Sequence, residues 1–153
     1  MNDRYLFRAK RIDNGEWEIG SLVLSDDADD EYKAIIIPSV NSNMFTRESY
    51  NEDLGFENWY KVDPSTICQC TGLKDKNGKL VFENDIVKGK YYDNGKSHRH
   101  IGQVKYIYEA YKVIGVKQYT GYHAHLNGSY EVIGNIFDNK ELLESEDKDE
   151  NNY

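Results

Sequence analysis

The chain has 153 residues, of which 39% are hydrophobic and 30% charged, as expected for one small domain or two very small ones. No apolar run approaches the ~20 residues that cross a bilayer, and the opening MNDRYLFRAK lacks a signal-peptide core, so we expect no membrane contact. The aromatic residues include 13 Tyr and only 5 Phe. Because tyrosine suits half-buried strands, this composition favours β structure.

The net charge of −8 is unevenly distributed along the chain. Acidic residues are concentrated at 26–31 and in the tail at 144–153, and both segments have the composition of solvated loops. Residues 72–117, in contrast, contain ten Lys or Arg and five Asp or Glu. The second half of the chain is therefore mildly basic, which the overall charge conceals.

Four Asn-Gly pairs occur along the chain, and each predicts a type I′ hairpin turn, which requires positive φ at both central residues. They are Asn14-Gly15, Asn77-Gly78, Asn94-Gly95 and Asn127-Gly128. Strand-like runs flank most of them, at residues 4–12, 16–24, 80–87, 101–108 and 130–137. The spacing predicts a mainly β protein. Two short helices are also predicted, over residues 46–54 and, capped by Asn139, over residues 140–143.

Asp63-Pro64 marks a change of composition and predicts a domain boundary nearby. We expect an N-terminal β subdomain at residues 1–61 with a variable insert at 25–58, and a second part at residues 62–143. We also expect residues 144–153 to be an acidic, flexible tail. The second part contains a tight acidic turn, Glu83-Asn84-Asp85, followed by Ile86-Val87 and an antiparallel meander, which is typical of SH3-like β-barrels.

The motif-bearing stretches are VDPSTICQCTGLKDKNGKLVFENDIVKGKYY, GQVKY and YEVIGNIFDNKELLE, with YLFRAKRIDNGEWEIG near the start. Together they resemble the YopX family of phage and prophage proteins over residues 4–24 and 59–144. Cys70 stands where the family usually has Tyr or Phe, and Asn84 stands where it has Gly. Asn tolerates left-handed backbone, so the second departure is acceptable. The resemblance implies a mainly β fold, an SH3-like C-terminal part and a phage setting, and it supplies no catalytic residues to carry over. We expect the C-terminal part to end with the short helix predicted at residues 140–143, and we expect such a protein in the cytoplasm of a bacterial host.

Nucleic-acid binding is one hypothesis for the basic half, where cations alternate with tyrosines on predicted strands. Such a surface can follow a phosphate backbone and stack bases. The cations are Lys74, Lys76, Lys79, Lys88, Lys90, Lys96, Arg99, Lys105 and Lys112, and the tyrosines are Tyr91, Tyr92, Tyr106, Tyr108 and Tyr111. Within this set we select Lys88, Lys90, Tyr91, Tyr92 and Lys105. The alternative is an ordinary solvated sheet face, on which lysines prevent aggregation.

Metal binding is a second hypothesis, because all four histidines fall in two His-x-His pairs. The pairs are His98 with His100 and His123 with His125. Residues at i and i+2 of a strand share a face, so each pair could offer two imidazoles to one ion. The alternative is two polar hairpin ends. No carboxylate adjoins either pair in the sequence to orient the rings.

Catalysis has little support in the sequence. Cys68 and Cys70 are spaced for one strand face and poorly for a disulfide, which predicts reduced thiols in the cytoplasm. No base stands near them, and no phosphate-binding or nucleophile-elbow motif occurs. We therefore expect a phage accessory protein without cofactor that binds a host or phage protein, with self-association and nucleic-acid binding as further options.

Overall fold

The computed structural model describes residues 3–26, 33–39, 43–47 and 53–144 of a mainly β chain. The chain divides into two compact units, Met1–Cys70 and Thr71–Tyr153. The sequence places its boundary nine residues earlier, between residues 61 and 62. In the described part of the chain, no helix is both long and apolar enough to traverse a bilayer.

The first unit is built on an antiparallel sheet with the strand order β6-β3-β2-β1-β7. Its strands are β1 (Phe7–Lys10), β2 (Trp17–Leu24), β3 (Ala34–Pro38), β4 (Met44–Arg47), β5 (Asp53–Phe56), β6 (Tyr60–Lys61) and β7 (Cys68–Lys74), and its 3-10 turns are Asp3–Tyr5 and Pro64–Thr66. Strands β4 and β5 pair only with each other. Strand β7 continues past residue 70 into the second unit.

The core of the first unit lies on one face of this sheet and consists of Ala9, Ala34, Ile36 and Val62. On β3 the buried residues alternate with half-buried Ile35 and Ile37, as the two-residue period of a strand requires. The opposite face is therefore also apolar.

The short helix predicted over residues 46–54 is wrong. Met44–Arg47 and Asp53–Phe56 are antiparallel strands, with Met44 opposite Phe56 and Arg47 opposite Asp53. Residues 48–52 lie outside the described part of the chain. Aromatic and β-branched residues such as Phe45 and Thr46 favour strands, and pairing with β5 outweighs the weak helix-end signals at Thr46 and Gly55.

The second unit contains a five-stranded antiparallel sheet with the order β12-β11-β10-β9-β13. Its strands are β8 (Leu80–Phe82), β9 (Asp85–Asp93), β10 (Lys96–Ile107), β11 (Ala110–Gly115), β12 (His123–His125) and β13 (Glu131–Asn135), and its 3-10 turns are Lys117–Tyr119 and Lys140–Leu142. Short β8 lies beside β7. The last strand, β13, returns to pair with the first strand of the meander, β9.

One face of the five-stranded sheet carries the core of the second unit. Val104 is opposite Val113, and Gly102 is opposite Val87, so these valines point to the same side. They pack with Val81, Leu126 and Tyr130. The residues between them along each strand therefore lie on the other face.

The closed barrel and the C-terminal helix expected from the sequence are not what the structure contains. In the described residues the sheet is open, because β12 and β13 stand at opposite edges and pair only with β11 and β9. The helix is replaced by the 3-10 turn Lys140–Leu142. Asn139 stands at the start of this turn but makes no capping side-chain hydrogen bond, and its side-chain oxygen instead accepts from the backbone N–H of Asn135 at 3.1 Å.

The four Asn-Gly pairs form three kinds of turn. Only Asn94-Gly95, between β9 and β10, has positive φ at both residues, 47° and 74°. At Asn14-Gly15 and Asn77-Gly78 the glycine alone is left-handed, and at Asn127-Gly128 neither residue is. Asn84 has a φ of 67°, so the expected tolerance of asparagine at this position is confirmed.

Candidate functional site

A basic groove of about 480 Å³ lies on the second unit, on the face of the sheet away from its core. Four cations line it, together with one acid, Glu131, and the polar or small residues Tyr92, Ser129 and Gly89. The cations are Lys76, Lys88, Lys90 and Arg99. We refer to these eight residues as the basic groove.

Strand alternation and register bring these cations together. Along β9, Lys88, Lys90 and Tyr92 are exposed and alternate with residues that face the core side. Lys90 lies directly opposite Arg99 on β10, and Lys88 lies opposite Glu131 on β13. Three neighbouring strands therefore present charged side chains on one surface.

Most of the positive charge in the basic groove is not neutralised. Lys76 forms an ion pair with Glu131, with Nζ and Oε2 3.2 Å apart. Within the described residues, Lys88, Lys90 and Arg99 have no carboxylate at ion-pair distance. Neighbouring cations of this kind create a positive potential that attracts anions. The Tyr92 side chain, 75% exposed, lies beside them.

Asp75 holds the loop that positions Lys76. Its carboxylate is buried and accepts hydrogen bonds from the backbone N–H groups of Asn77 at 2.8 Å, Lys79 at 2.9 Å and Val132 at 3.0 Å. Burial by itself raises the pKa of Asp75, but the three N–H donors favour the charged form and the net result is a lowered pKa. The loop is thus attached to β13 through an ionised side chain.

The structure brings together three of the five residues selected from the sequence for nucleic-acid binding. Lys88, Lys90 and Tyr92 line the basic groove. Tyr91 is on the opposite face, where its ring stacks on His98 at 5.0 Å. Lys105 is on the groove face but six residues beyond Arg99 along β10, a distance of about 20 Å.

Two groove cations, Lys76 and Arg99, were not selected from the sequence. Both belong to the wider set of basic residues in the second half of the chain. The signal that identifies Arg99 is its even spacing from Lys105 along β10, combined with the two-residue turn at Asn94-Gly95, which fixes its pairing with Lys90. Lys76 reaches the groove through the Asp75 loop and has no comparable sequence signal.

His100, one of the predicted metal ligands, is fully buried and both of its ring nitrogens are engaged. Nε2 lies 3.0 Å from the carbonyl oxygen of Tyr122 and must donate to it. In the neutral ring, Nδ1 then accepts from the Tyr130 hydroxyl at 2.9 Å. Burial lowers the pKa of His100, and burial also raises the pKa of Tyr130 to about 12. His100 is therefore a neutral core residue.

The other three histidines do not assemble around a common point with His100. His98 stacks on Tyr91, while His123 and His125 are exposed on edge strand β12, opposite Ile114 and Lys112. Across the described ranges, no three His, Cys, Asp or Glu residues come together in a way that could hold a metal ion. The four-histidine arrangement considered from the sequence is not formed, because both ring nitrogens of His100 are hydrogen-bonded in the core, away from the exposed His123 and His125.

Cys68 and Cys70 are buried on β7 and form no disulfide. The Cys68 thiol lies 3.3 Å from the Thr66 carbonyl oxygen, which it can reach as a donor. Buried thiols in such surroundings pack as small apolar residues.

A second concave surface, in the first unit, is apolar. It has a volume of about 600 Å³ and is lined by Val23, Leu24, Ser25, Ile35, Ile37, Phe56 and Trp59. Leu24 is 63% exposed and Val23 is 48% exposed. Val23, Ile35 and Ile37 belong to the outer face of β2 and β3, whereas Leu24 pairs with buried Ala34 and reaches this surface from the end of its strand.

Comparison with known proteins identifies the family. A family model described as YopX protein matches residues 6–144. The chain belongs to the YopX family. No protein with a curated description matches this YopX-family chain. A crystal structure of protein EF1440 from Enterococcus faecalis is similar in fold, with 23% identity and a TM-score of 0.50, and the match covers 90% of this chain and 96% of that one.

Proposed function

We propose that this YopX-family protein is a non-catalytic phage or prophage accessory protein of the bacterial cytoplasm, whose second unit binds single-stranded nucleic acid. The observation that carries the proposal is the basic groove, in which three cations without ion pairs line the same surface as the exposed ring of Tyr92. Phosphates contact the cations, and a base stacks on the tyrosine. Metal-dependent activity has no support, since His100 is committed to Tyr122 and Tyr130.

The test is the affinity of the protein for a fluorescent oligothymidylate, measured by anisotropy at several salt concentrations. Each phosphate contact adds about −0.7 to the slope of log affinity against log salt for a single strand. With Lys88, Lys90 and Arg99 engaged, we expect a slope of about −2. Lys90→Glu and Arg99→Glu should each weaken binding at least tenfold and make the slope shallower.

Lys96→Glu is the matched control, because Lys96 is an exposed lysine of β10 whose odd spacing from Arg99 places it on the other sheet face. It carries the same charge change and should weaken binding much less. Equal losses for Lys96→Glu and Arg99→Glu would mean that only net charge matters, and the groove assignment would be wrong.

A protein partner is the second candidate function, and the apolar surface of the first unit favours it. Val23 and Leu24 lie exposed beside the concave surface lined by Ile35, Ile37 and Phe56. Exposed apolar surface of this kind is typical of sites that contact other proteins. The partner is a host or phage protein, or a second copy of the chain.

Val23→Asp and Leu24→Asp test this candidate. Both side chains are exposed in the folded chain, so the variants should keep the wild-type melting temperature. Self-association would be seen by sedimentation velocity and should be lost in the variants. If the partner is a different protein, tagged wild-type chain should capture it from nuclease-treated lysate of infected cells. The two variants should not capture it. Equal capture and equal sedimentation would rule out this surface.

An SH3-like strand order in the second unit, without closure into a barrel, is part of the same proposal. It is supported by the path of the chain, since β9, β10 and β11 form a meander and β13 returns beside β9. Backbone contacts between Val132 and Val87 in NMR spectra would test this path, and their absence would contradict it.

A further inference from the structure

The hairpin between β10 and β11 has an unfavourable turn. Ile107 and Ala110 are the last paired residues, so Tyr108 and Glu109 form a two-residue loop. Their φ values are 49° and 66°, in the left-handed region that disfavours side chains with a Cβ. The neighbouring hairpin of the same sheet makes the same kind of turn with Asn94 and Gly95, the residues that suit it.

The strained residues gain little from burial. Tyr108 is 84% exposed and is thus nearly as accessible as in an unfolded chain. Its ring has the ammonium of Lys112 at 5.2 Å from the centroid. Residues with strained backbone cluster at functional sites in proteins, so an exposed strained tyrosine motivates a search for a role at this turn.

Two lysines face each other just below this turn. Lys105 on β10 is directly opposite Lys112 on β11, and like charges in this position repel. Where the structure describes the chain, neither lysine has a carboxylate at ion-pair distance. Lys105 is an even number of residues from Arg99, so the pair lies on the same sheet face as the basic groove.

We propose that this hairpin tip, defined as Lys105, Tyr108 and Lys112, is a second contact for the strand bound in the basic groove. A phosphate placed between the two ammonium groups removes their repulsion, and a base stacks on the exposed ring of Tyr108. The inference rests on the proposed function of the groove. It adds that the strand continues from Arg99 along β10 for about 20 Å.

Tyr108→Asn is the decisive variant, because its effects on stability and on binding should be opposite in sign. Asparagine adopts left-handed backbone more readily than tyrosine, so the melting temperature should stay the same or rise. The stacking surface is lost, so affinity for an oligothymidylate of about 15 nucleotides should fall at least fivefold. A merely structural role of Tyr108 predicts no such loss.

Oligonucleotide length separates the tip from the groove. An oligothymidylate of about 4 nucleotides fills the groove alone and should bind wild type and Tyr108→Asn equally. Lys105→Gln and Lys112→Gln should weaken only the long oligonucleotide, by several-fold each. Lys140→Gln, at an exposed lysine of the C-terminal 3-10 turn, is the control and should change neither.

The outcomes distinguish the two proposals. If neither oligonucleotide binds wild type, the groove and the tip both fail. If the short one binds and the three tip variants hold the long one as tightly as wild type, the tip alone fails. Polyglutamate of equal charge can serve as a competitor that lacks bases. If it displaces the long oligonucleotide from wild type and from Tyr108→Asn equally well, the hairpin tip binds charge without base stacking, and the inference is wrong.

Discussion

At the scale of single residues, Asp75 connects sequence, stability and the basic groove most directly. One buried carboxylate satisfies three backbone donors, from Asn77, Lys79 and Val132. An unsatisfied buried N–H costs about 1–3 kcal/mol, so these bonds hold the loop of Lys76 firmly in place.

Asp75→Asn should lower the free energy of unfolding by about 1–3 kcal/mol at pH 7, because the amide nitrogen would face the N–H of Val132. The folded pKa of Asp75 is lowered, so its contribution is fully present above the unfolded pKa, ~3.9. It is lost as the pH falls through the folded pKa. Denaturant unfolding at pH 7 and pH 3 measures this. If the free energies of unfolding of variant and wild type differ by as much at pH 3 as at pH 7, this explanation is contradicted.

The residue types in the sequence predict the residues of the basic groove less well than they predict the fold class. The alternation along residues 88–92 separates Tyr91 from Tyr92, but which face meets solvent depends on what covers the sheet. In the structure, the Tyr91 ring stacks in an aromatic cluster with His98 and Tyr122. His100 belongs to the same group, and only its neighbours in space, not its His-x-His spacing, show that it is a core residue.

At the scale of secondary-structure elements, turn composition predicts where strands end but not the turn geometry. Asn77-Gly78 and Asn94-Gly95 have the same two-residue sequence but differ in backbone conformation. In the first loop the Asp75 carboxylate accepts a hydrogen bond from the backbone N–H of Asn77, and only Gly78 adopts the left-handed conformation. The Tyr108-Glu109 turn has no sequence signal at all, since neither residue favours the backbone that it adopts.

Gly78→Val should destabilise the protein by about 1–3 kcal/mol through backbone strain alone. Gly78 has a φ of 81°, and a Cβ there would meet no atom within 4 Å. Gly128→Val is the matched control, because its Cβ also meets nothing and its backbone is not left-handed. Its cost should stay within about 0.5 kcal/mol. Thermal melts of the two variants with equal shifts would refute the backbone explanation.

At the scale of the whole molecule, the distribution of charge matters more than its sum. The sequence predicted a basic second half within an acidic chain, and the sheet of that half gathers Lys88, Lys90 and Arg99 on one surface. The mainly β class was also predictable, because strand period and turn residues are local signals. The open sheet was not, because closure depends on which edge strands meet.

Neutralising the C-terminal tail should strengthen oligonucleotide binding at low salt. Glu146→Gln, Asp147→Asn, Asp149→Asn and Glu150→Gln together change the net charge from −8 to −4. These residues lie outside the described part of the chain, so the argument uses their charge alone. Affinity should rise several-fold at 0.01 M salt, where the Debye length is about 30 Å, and little at 0.15 M, where it is about 8 Å. Equal gains at both salt concentrations would contradict a long-range electrostatic effect.

The contrast between the two hairpin turns of the second sheet also has a consequence for the time course of folding. The β9–β10 hairpin closes on Asn94-Gly95, whose residues favour the turn before any tertiary contact exists. The β10–β11 hairpin closes on Tyr108-Glu109 and must wait for packing on Val104 and Val113. We therefore expect β9–β10 to be formed in the folding transition state and β11 to join later. The ratio of the change in activation free energy of folding to the change in stability on mutation should be about 0.5–0.8 for β9–β10 and about 0–0.3 for β11. The strand that carries Lys112 would be the last of the meander to be fixed and the first to be released.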